Sequence, residues 1–344
     1  MPSFTPPEPR DEGSSCTLKF SGTEGICRPF DACPKSVEAA CRAVLPQLCE
    51  SNGVIPIDKE PKLVCCDESI SPPRPGFKSD NYCRLLKTRD EWKKASQRSC
   101  ASRSGSMKTS EEAPHLAMLG EKDGTGFLWR SVMASLLSDR WLLGSAWSFA
   151  RWPLLKFVGL GGKYKPIYSP DLVLTISRQI RHADFNGSLT WVYNDIVLLQ
   201  LERPVVFTAG ILPVCLYTRS LLPESQFRRL TLINTALNNK NEMEEVPWET
   251  CFTEYAGNRF FPYGVRNTTQ LCARPRPITG VSLECEDYMY GASLYWQGGD
   301  WRGEEGCSRL LLGSFTDVNS DQSCTRVFTR TTAFLPWIES VVWP

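Results

Sequence analysis

The sequence predicts a mostly β protein in which a small disulfide-rich module precedes a larger all-β domain. Of the 15 cysteines, nine lie in residues 1–100 and six in residues 101–344, so they are concentrated near the N-terminus. Beyond residue 113, short apolar runs alternate with turn residues, which is typical of β-barrels and β-sandwiches. Hydrophobic residues make up 42% of the chain, enough to build a sizeable core.

The charge and hydropathy of the chain exclude two classes of protein. Lys and Arg (39) nearly balance Asp and Glu (38), and the net charge of +1 does not suit a domain that neutralises nucleic-acid phosphates. No apolar run reaches the roughly 20 residues that a membrane-spanning helix needs. The uncharged run Pro204–Thr218 is shorter and contains Pro213. We therefore expect a soluble protein with no nucleic-acid partner and no membrane span.

The N-terminal region consists of a polar, proline-rich tail (residues 1–15) and a cysteine-dense module (residues 16–66). A module of this size cannot be held together by its core alone, which favours disulfides. A zinc site is the alternative, but the chain has no CxxC motif, and its two histidines, His115 and His182, lie far from the cysteines. We expect no metal and an oxidising compartment. Sequons at Asn186 and Asn267 fit secretion and predict glycosylation.

Residues 67–112 read as a linker, because Pro72, Pro73 and Pro75 open it; a charged stretch at Asp90–Lys94 is compatible with a short helix. The domain of residues 113–344 follows. Near its end, Thr332–Trp343 has helical periodicity and predicts an amphipathic helix. Short apolar runs predict β-strands at Leu116–Leu119, Ser131–Leu137, Leu172–Ile176, Asp195–Leu201 and Leu310–Phe315.

Two resemblances to known families emerge from these residues. The spacing Cys16, Cys27, Cys33, Cys49, Cys65-Cys66 resembles the arthropod clip domain. The larger domain resembles the trypsin-like serine proteases, and this implies two six-stranded antiparallel β-barrels with a C-terminal helix. The motifs that carry the second resemblance are Glu112-Ala-Pro-His-Leu-Ala, Ser135-Leu-Leu-Ser-Asp-Arg-Trp-Leu-Leu, Asn194-Asp-Ile-Val-Leu-Leu-Gln-Leu, Leu212-Pro-Val-Cys-Leu, Gln270-Leu-Cys-Ala and Thr325-Arg-Val-Phe-Thr-Arg.

The position of the general base in this family holds a tryptophan. The family motif T-A-A-H-C aligns with Gly144-Ser-Ala-Trp-Ser, which places Trp147 at the histidine. An indole N–H donates a hydrogen bond and cannot accept a proton at neutral pH, so Trp147 cannot act as a base. His115 and His182 belong to other motifs. The carboxylate is retained as Asp195, which we expect to be a buried acid held by backbone or hydroxyl donors.

The nucleophile motif C-Q-G-D-S-G-G-P-L reads Cys285-Glu-Asp-Tyr-Met-Tyr-Gly-Ala-Ser-Leu in this chain. Counted from Cys285, the serine becomes Met289; if Gly291 is aligned instead, it becomes Tyr290. The glycine that precedes the nucleophile, next to the oxyanion hole, becomes Asp287 or Tyr288. Neither alignment leaves a nucleophilic serine.

Three more family features are missing. The cysteine pair that flanks the base is replaced by Val132 and Ser148, and the stretch Ser102–Gly105 has no Ile-Val-Gly-Gly terminus. The floor of the specificity pocket is Leu283, which would not attract Lys or Arg. The resemblance therefore implies a pseudo-protease with no catalytic residues and no cofactor.

The resemblance also implies a disulfide pairing. Cys215 is expected to tether the linker, with Cys100 as its best partner. Cys41, Cys83 and Cys307 then remain, and because their number is odd at least one is free or intermolecular. The other implied pairs are Cys16–Cys65, Cys27–Cys49, Cys33–Cys66, Cys251–Cys272 and Cys285–Cys324.

Two further sites follow from polar, turn-rich segments. The run Ala101–Lys108 predicts cleavage after Arg103, with Lys108 as an alternative and an uncut linker as the other possibility. A Gly-rich apparent insertion contains Trp296 and Trp301, which we expect to be exposed and available to a partner.

The function implied by the resemblance is that of a secreted, non-catalytic cofactor or regulator in an extracellular protease cascade of arthropod haemolymph. The cascade would serve innate immunity, through melanisation or a complement-like response. The implied partners are clip-domain proteases, prophenoloxidase or complement-like factors. Two alternatives stay open. The first is an adhesive or microbial-pattern-recognition protein, and the second is an enzyme with a repurposed site that uses Glu286, Asp287, Tyr288 or Tyr290.

Overall fold

The fold was obtained as a computed structural model, in which the chain divides into two compact units, Met1–Phe77 and Lys78–Pro344. No helix in the described part of the chain is both long enough and apolar enough to cross a membrane. The structure describes residues 15–17, 24–28, 64–67, 75–90, 92, 105–106, 110–124, 126–163, 168–185, 191–218, 230–234, 239–276, 290–298, 308–318 and 324–344.

The first unit contains a three-stranded antiparallel sheet in the order β1-β2-β3. Its strands are β1 (Ser15–Thr17), β2 (Glu24–Arg28) and β3 (Val64–Asp67). Cys16 and Cys65 form the disulfide that the resemblance implies, and they pack with Cys27 in the core of the sheet. Sulfur thus replaces the apolar core that a module of this size cannot build. Cys27 is also disulfide-bonded, and its expected partner Cys49 lies outside the described residues.

The region expected to be a linker contains an α-helix, α1 (Phe77–Lys87). In the charged stretch Asp90–Lys94, the described residues Asp90 and Trp92 are helical, as expected. Helix α1 lies before this stretch. Its buried side chains Ser79, Cys83 and Leu86 follow a helical spacing.

The pairing expected between Cys100 and Cys215 is wrong, because Cys215 is bonded to Cys83. The two cysteines are 132 residues apart in sequence, and α1 brings Cys83 to Cys215. Nearness to the cleavage stretch had suggested Cys100, which lies outside the described residues. Cys83 is therefore not a spare cysteine.

The first barrel of the second unit is closed, with strand order β10-β7-β6-β5-β8-β9 and antiparallel pairing throughout. A short strand, β4 (Gly105–Ser106), precedes it. The barrel strands are β5 (Leu116–Asp123), β6 (Gly126–Leu136), β7 (Trp141–Gly144), β8 (Phe157–Leu160), β9 (Leu172–Arg181) and β10 (Val197–Leu201).

The second barrel follows the order β16-β15-β12-β13-β14-β17 and is closed by pairing between β16 and β17. At its margins, β4 pairs with β13, and β11 lies parallel to β16. Its strands are β11 (Cys215–Leu216), β12 (Leu230–Asn234), β13 (Asn239–Val246), β14 (Gln270–Pro275), β15 (Ser293–Gly298), β16 (Ser308–Val318) and β17 (Arg326–Arg330).

The second unit also contains the helices α2 (Ala146–Arg151), α3 (Trp248–Glu254) and α4 (Leu335–Val342). The helix expected at Thr332–Trp343 is present as a 3₁₀ turn, Thr331–Phe334, followed by α4. The expected fold class is confirmed: the protein is mostly β, with two closed six-stranded antiparallel barrels and a C-terminal helix.

The apolar runs of the first barrel are explained by strands that are buried on both faces. In β5, Leu116 and Met118 join one apolar cluster, whereas Ala117 and Leu119 join another. Successive side chains of a strand point to opposite faces, so a strand covered on both sides needs an unbroken apolar run.

The expectation that Trp296 is exposed is wrong. Trp296 lies within β15, is only 4% exposed and packs against Tyr217, with ring centroids 5.9 Å apart. The turn-rich composition predicts a loop here, but β15 extends to Gly298, so Trp296 lies inside the strand. Trp301 lies outside the described residues.

Candidate functional site

The candidate site is built around Asp195, which is completely buried between α2 and β10. Asn194, the residue before it, has a φ of 53°, a left-handed conformation that asparagine tolerates better than most residues. The carboxylate of Asp195 accepts two hydrogen bonds from α2 and its cap. Its Oδ1 accepts from the backbone N–H of Trp147 at 2.7 Å, and its Oδ2 from the hydroxyl of Ser145 at 2.8 Å.

Ser145 has two roles in this arrangement. It is the N-cap of α2, where its Oγ accepts a hydrogen bond from the backbone N–H of Ser148 at 3.3 Å. The same hydroxyl donates to Asp195. A serine hydroxyl has one proton to give and lone pairs to accept with, so it can do both at once.

Burial raises the pKa of Asp195 from 3.8 to about 6, because the charged carboxylate loses its hydration. Hydrogen bonds act in the opposite direction and stabilise the charged form. They come from the backbone N–H groups of Trp147 and Ala146 and from the side chains of Ser145 and Thr316. The expectation of a buried acid held by backbone and hydroxyl donors agrees with this environment.

The side chain of Trp147 packs on Tyr290, with ring centroids 4.6 Å apart and a 31° angle between the planes. Trp152 contacts both rings, at centroid distances of 6.3 Å from Trp147 and 5.7 Å from Tyr290. We call Trp147, Trp152 and Tyr290 the aromatic triad. The indole Nε1 of Trp147 is buried and has no hydrogen-bond partner among the described residues, which carries a desolvation cost.

The backbone at Tyr290 and Gly291 is tightly held. The carbonyl of Tyr290 accepts a hydrogen bond from the backbone N–H of Met133 at 2.7 Å. Gly291 has a φ of +75°, and a Cβ at this position would lie 2.1 Å from the carbonyl oxygen of Met133. Only glycine fits here. This requirement for glycine favours the alignment that matches Gly291 to the family's glycine and places Tyr290 at the nucleophile position. The other alignment places Met289 there, and Met289 lies outside the described residues.

The chain's two histidines make their described contacts elsewhere. Nε2 of His115 is 2.6 Å from the hydroxyl of Tyr295, and the ring of His182 packs edge-on against Phe334 and Trp337. Neither imidazole is among the groups that hydrogen-bond to Asp195.

The structure describes some of the other predicted site residues. Val132 and Ser148, which replace the flanking cysteine pair, are both fully buried. Cys251 and Cys272 form the implied disulfide, and Cys324 is also disulfide-bonded. Asn267 is exposed. The predicted positions outside the described residues are Cys33, Cys41, Arg103, Lys108, Asn186, Leu283, Cys285, Glu286, Asp287, Tyr288 and Cys307.

Sequence reasoning missed two participants in the site. Trp152 follows α2 and joins the triad, whereas Thr316 lies in β16 and is remote from Asp195 in sequence. The signal for Trp152 was its spacing of five residues from Trp147, just past the end of a short helix. Thr316 carried no such signal, because its role depends on how the two barrels pack.

Comparisons with known proteins agree with this fold. The chain is 28% identical over 203 residues to Melanization protease 1 of Drosophila melanogaster, an alignment that covers 54% of the chain and 47% of that relative. It is 25% identical over 261 residues to Phenoloxidase-activating factor 1 of Holotrichia diomphalia, covering 68% of each. The chain thus spans about half the length of the first relative and about two thirds of the second. No protein-family model matches the chain.

A solved structure supports the fold assignment. The structure of the Drosophila Grass clip serine protease of the Toll pathway aligns with a TM-score of 0.54 and 17% identity, over 95% of this chain and 97% of that one. At this identity the likeness concerns the fold alone. Taken with the sequence relatives, it shows that the chain is similar to clip-domain serine proteases and has a trypsin-like fold.

Proposed function

We propose that the chain is a non-catalytic member of this group that acts by binding other proteins. The observation that supports the proposal is the environment of Asp195. Its carboxylate is occupied by the Ser145 hydroxyl and the Trp147 N–H, and the Trp147 ring packs on Tyr290. A serine protease needs a base between this carboxylate and a nucleophile, and an indole cannot accept the proton.

We further propose that the protein works in an extracellular protease cascade that leads to melanisation or a complement-like response. One relative is named a melanization protease and another a phenoloxidase-activating factor. Disulfides such as Cys16–Cys65 and Cys251–Cys272 fit an oxidising, extracellular compartment such as haemolymph. The partners proposed are clip-domain proteases, prophenoloxidase or complement-like factors.

The absence of catalysis is tested with a fluorophosphonate probe, which labels activated serines. The purified chain, before and after treatment with a trypsin-like activating protease, is expected to remain unlabelled and to leave peptide substrates intact. An active trypsin-like protease serves as the positive control. Labelling of the chain at any residue would contradict the proposal.

The cascade role is tested by adding the chain to purified prophenoloxidase and its activating clip-domain protease. We expect the rate of phenoloxidase activation to change in proportion to the chain added. An equal amount of heat-unfolded chain is the control. Identical rates with and without the folded chain, in this assay and in a matching assay with complement-like factors, would count against a cofactor role.

We also propose cleavage after Arg103. This residue lies two positions before β4, which pairs with Asn239 and Lys240 at the margin of the second barrel. After incubation with a trypsin-like clip-domain protease, a reducing gel should show two fragments, and the Arg103→Gln variant should stay intact. If wild type stays intact as well, the linker is not a substrate; if only Lys108→Gln blocks cleavage, the alternative site is used.

Glycosylation is proposed at Asn267 and Asn186. Asn267 is exposed in a turn just before β14 and follows Arg266 in sequence, so its side-chain amide is accessible to modification. Treatment of the secreted protein with a glycosidase that removes N-linked sugars should increase its gel mobility. Variants Asn267→Gln and Asn186→Gln should each reduce that shift.

A further inference from the structure

Four large aromatic side chains are exposed on one part of the second unit. They are Trp191, Trp248, Phe252 and Tyr263, which we call the aromatic row, and their exposed fractions lie between 38% and 66%. Single exposed apolar residues are common on proteins, whereas a contiguous group of them marks an interaction site. Trp and Tyr are also the residues most enriched among those that dominate binding energy at protein interfaces.

Contacts along the row show that it is one continuous surface. The ring of Trp191 lies edge-on to Tyr263 with centroids 5.8 Å apart, and Trp248 contacts Phe252 with centroids 5.2 Å apart. Gly264 connects these two pairs. A Cβ on Gly264 would lie 2.2 Å from the ring of Phe252, so this ring rests directly on the backbone next to Tyr263.

The backbone beneath the row is fixed by hydrogen bonds. The hydroxyl of Tyr193 accepts from the N–H of Tyr263 at 3.0 Å and donates to the carbonyl of Gly264 at 2.9 Å. The indole Nε1 of Trp248 donates to the carbonyl of Val265 at 3.1 Å. A surface held in place in this way loses little conformational freedom on binding, which raises its affinity for a partner.

Two exposed arginines lie near the row, as does the exposed carboxylate of Glu249 on α3. The guanidinium of Arg266 lies over the ring of Tyr193 at 4.2 Å, and that of Arg259 lies over Phe260 at 4.6 Å. Both arginines are exposed, and neither forms an ion pair within the described part of the chain. A guanidinium stacked on a ring keeps its N–H groups at the edge, where they can bind a carboxylate in a bidentate manner.

We infer that the aromatic row, together with Arg259 and Arg266, is a docking surface for an acidic segment of a partner protein. This segment would carry aromatic or other apolar residues among its carboxylates. The apolar residues would cover the rings, and the carboxylates would pair with the two guanidinium groups. The inference rests on the proposed function, since it supplies a binding surface to a chain that does not cut its partners. It uses residues outside the aromatic triad.

The probe for this surface is a fluorescein-labelled random copolymer of glutamate and tyrosine, whose binding to the whole chain is followed by fluorescence anisotropy. Poly-glutamate of the same length tests charge alone, and heparin tests a sulfated polysaccharide. We expect the copolymer to bind more tightly than either. The double variants Arg259→Gln/Arg266→Gln and Trp191→Ala/Tyr263→Ala should each weaken copolymer binding about tenfold or more, equivalent to about 1.4 kcal/mol.

Phe127→Ala is the matched control, because Phe127 is 43% exposed on β6 and lies outside the row. This variant should bind the copolymer as wild type does. The inference is overturned if wild type does not bind the copolymer, or if all variants bind it equally. It is also overturned if heparin binds as tightly and the Trp191→Ala/Tyr263→Ala variant retains full affinity, since the surface would then recognise a polysaccharide.

The two proposals can fail separately. Labelling of the chain by the fluorophosphonate probe would overturn the non-catalytic function while leaving copolymer binding measurable. Loss of copolymer binding would overturn the docking surface while the chain remained unlabelled. Near-ultraviolet circular dichroism of each variant should match that of wild type, so that a change in affinity reports on the surface and not on the fold.

Discussion

At the scale of single residues, the hydrogen-bond donors to the carboxylate of Asp195 come from α2, its cap and Thr316. In a working serine protease this group orients an imidazole. Here a serine hydroxyl and a backbone N–H complete its hydrogen bonds. A buried carboxylate without such partners would be costly, and the donors of α2 and its cap offset that cost for Asp195.

The raised pKa of Asp195 predicts a specific dependence of stability on pH. Between about pH 4 and pH 6 the folded protein keeps a proton on Asp195 that the unfolded chain releases, since burial raises the pKa from 3.8 to about 6. The stabilisation is therefore complete below about pH 4 and lost as pH rises through 6. One pKa unit corresponds to about 1.4 kcal/mol, so the loss amounts to about 3 kcal/mol.

The variant Asp195→Asn has no such proton and isolates this effect. Chemical denaturation of both proteins from pH 3.5 to 7 should show that the free energy of unfolding of wild type, relative to the variant, falls across this window. A constant difference between the two proteins would show that the pKa of Asp195 is not raised by folding.

Ser145 offers a second test at the same scale. Ser145→Ala removes the N-cap of α2 and the hydroxyl donor to a buried carboxylate, and we expect a loss of about 2–4 kcal/mol in unfolding free energy. The substitution should also raise the pKa of Asp195 in the folded protein, because a hydrogen bond that lowers that pKa is gone. The pH at which the stabilisation is lost should rise with it. Ser177→Ala is the control, since exposed Ser177 only donates to the carbonyl of Gln200. Equal losses for both variants would contradict the role given to Ser145.

At the scale of elements, the turn before β15 requires glycine at position 291 for two reasons, its positive φ and its close approach to the backbone of Met133. Gly291 and Gly257 both have positive φ, at +75° and +77°. A Cβ at Gly257 meets nothing within 4 Å, whereas one at Gly291 would lie 2.1 Å from the backbone carbonyl of Met133. Alanine substitutions at Gly257 and Gly291 therefore separate the cost of backbone strain from the cost of a steric clash.

We expect Gly257→Ala to lower the free energy of unfolding by about 1 kcal/mol, which is the cost of a left-handed conformation for alanine. Gly291→Ala should cost at least about 3 kcal/mol, because a backbone oxygen cannot move aside as a flexible side chain can. Thermal and urea denaturation would measure both. Similar losses in the two variants would mean that the contact with Met133 is relaxed in solution.

Much of the element structure could be predicted from the sequence, and the failures have physical causes. The strands near Leu116 and Leu310 and the C-terminal helix were predicted because burial imposes an apolar run or a helical period. Helix α1 was missed because its packing surface relies on Ser79 and Cys83 more than on large apolar residues. Its position is fixed instead by tertiary contacts, such as the hydrogen bonds from Ser79 to Glu339.

The sequence predicts which residues occupy the site, but not which of their side chains are in contact. The alignment of motifs places Trp147 at the base position and Met289 or Tyr290 at the nucleophile position. Nothing in the sequence predicts that the rings of Trp147 and Tyr290 touch. The glycines after Trp296 predict an exposed loop, but Trp296 lies in β15 among buried neighbours, which overrides that local signal. Contacts between distant segments depend on barrel closure, which a local pattern does not encode.

At the scale of the whole molecule, the Cys83–Cys215 bridge joins the segment that precedes the proposed cleavage site to the second barrel. Cys215 lies in β11, and Cys83 lies in α1, which also contacts the C-terminal helix through Ser79 and Glu339. Cleavage after Arg103 would therefore leave everything from α1 onward covalently connected, even though the backbone is cut.

This connection can be tested by comparing gels of the cleaved protein with and without reducing agent. Wild type should run as one band without reductant and as two with it. Cys83→Ser should release the N-terminal fragment without reductant, whereas Cys100→Ser should not, because Cys83 is the partner of Cys215. The reverse result, with release from Cys100→Ser alone, would assign the tether to Cys100.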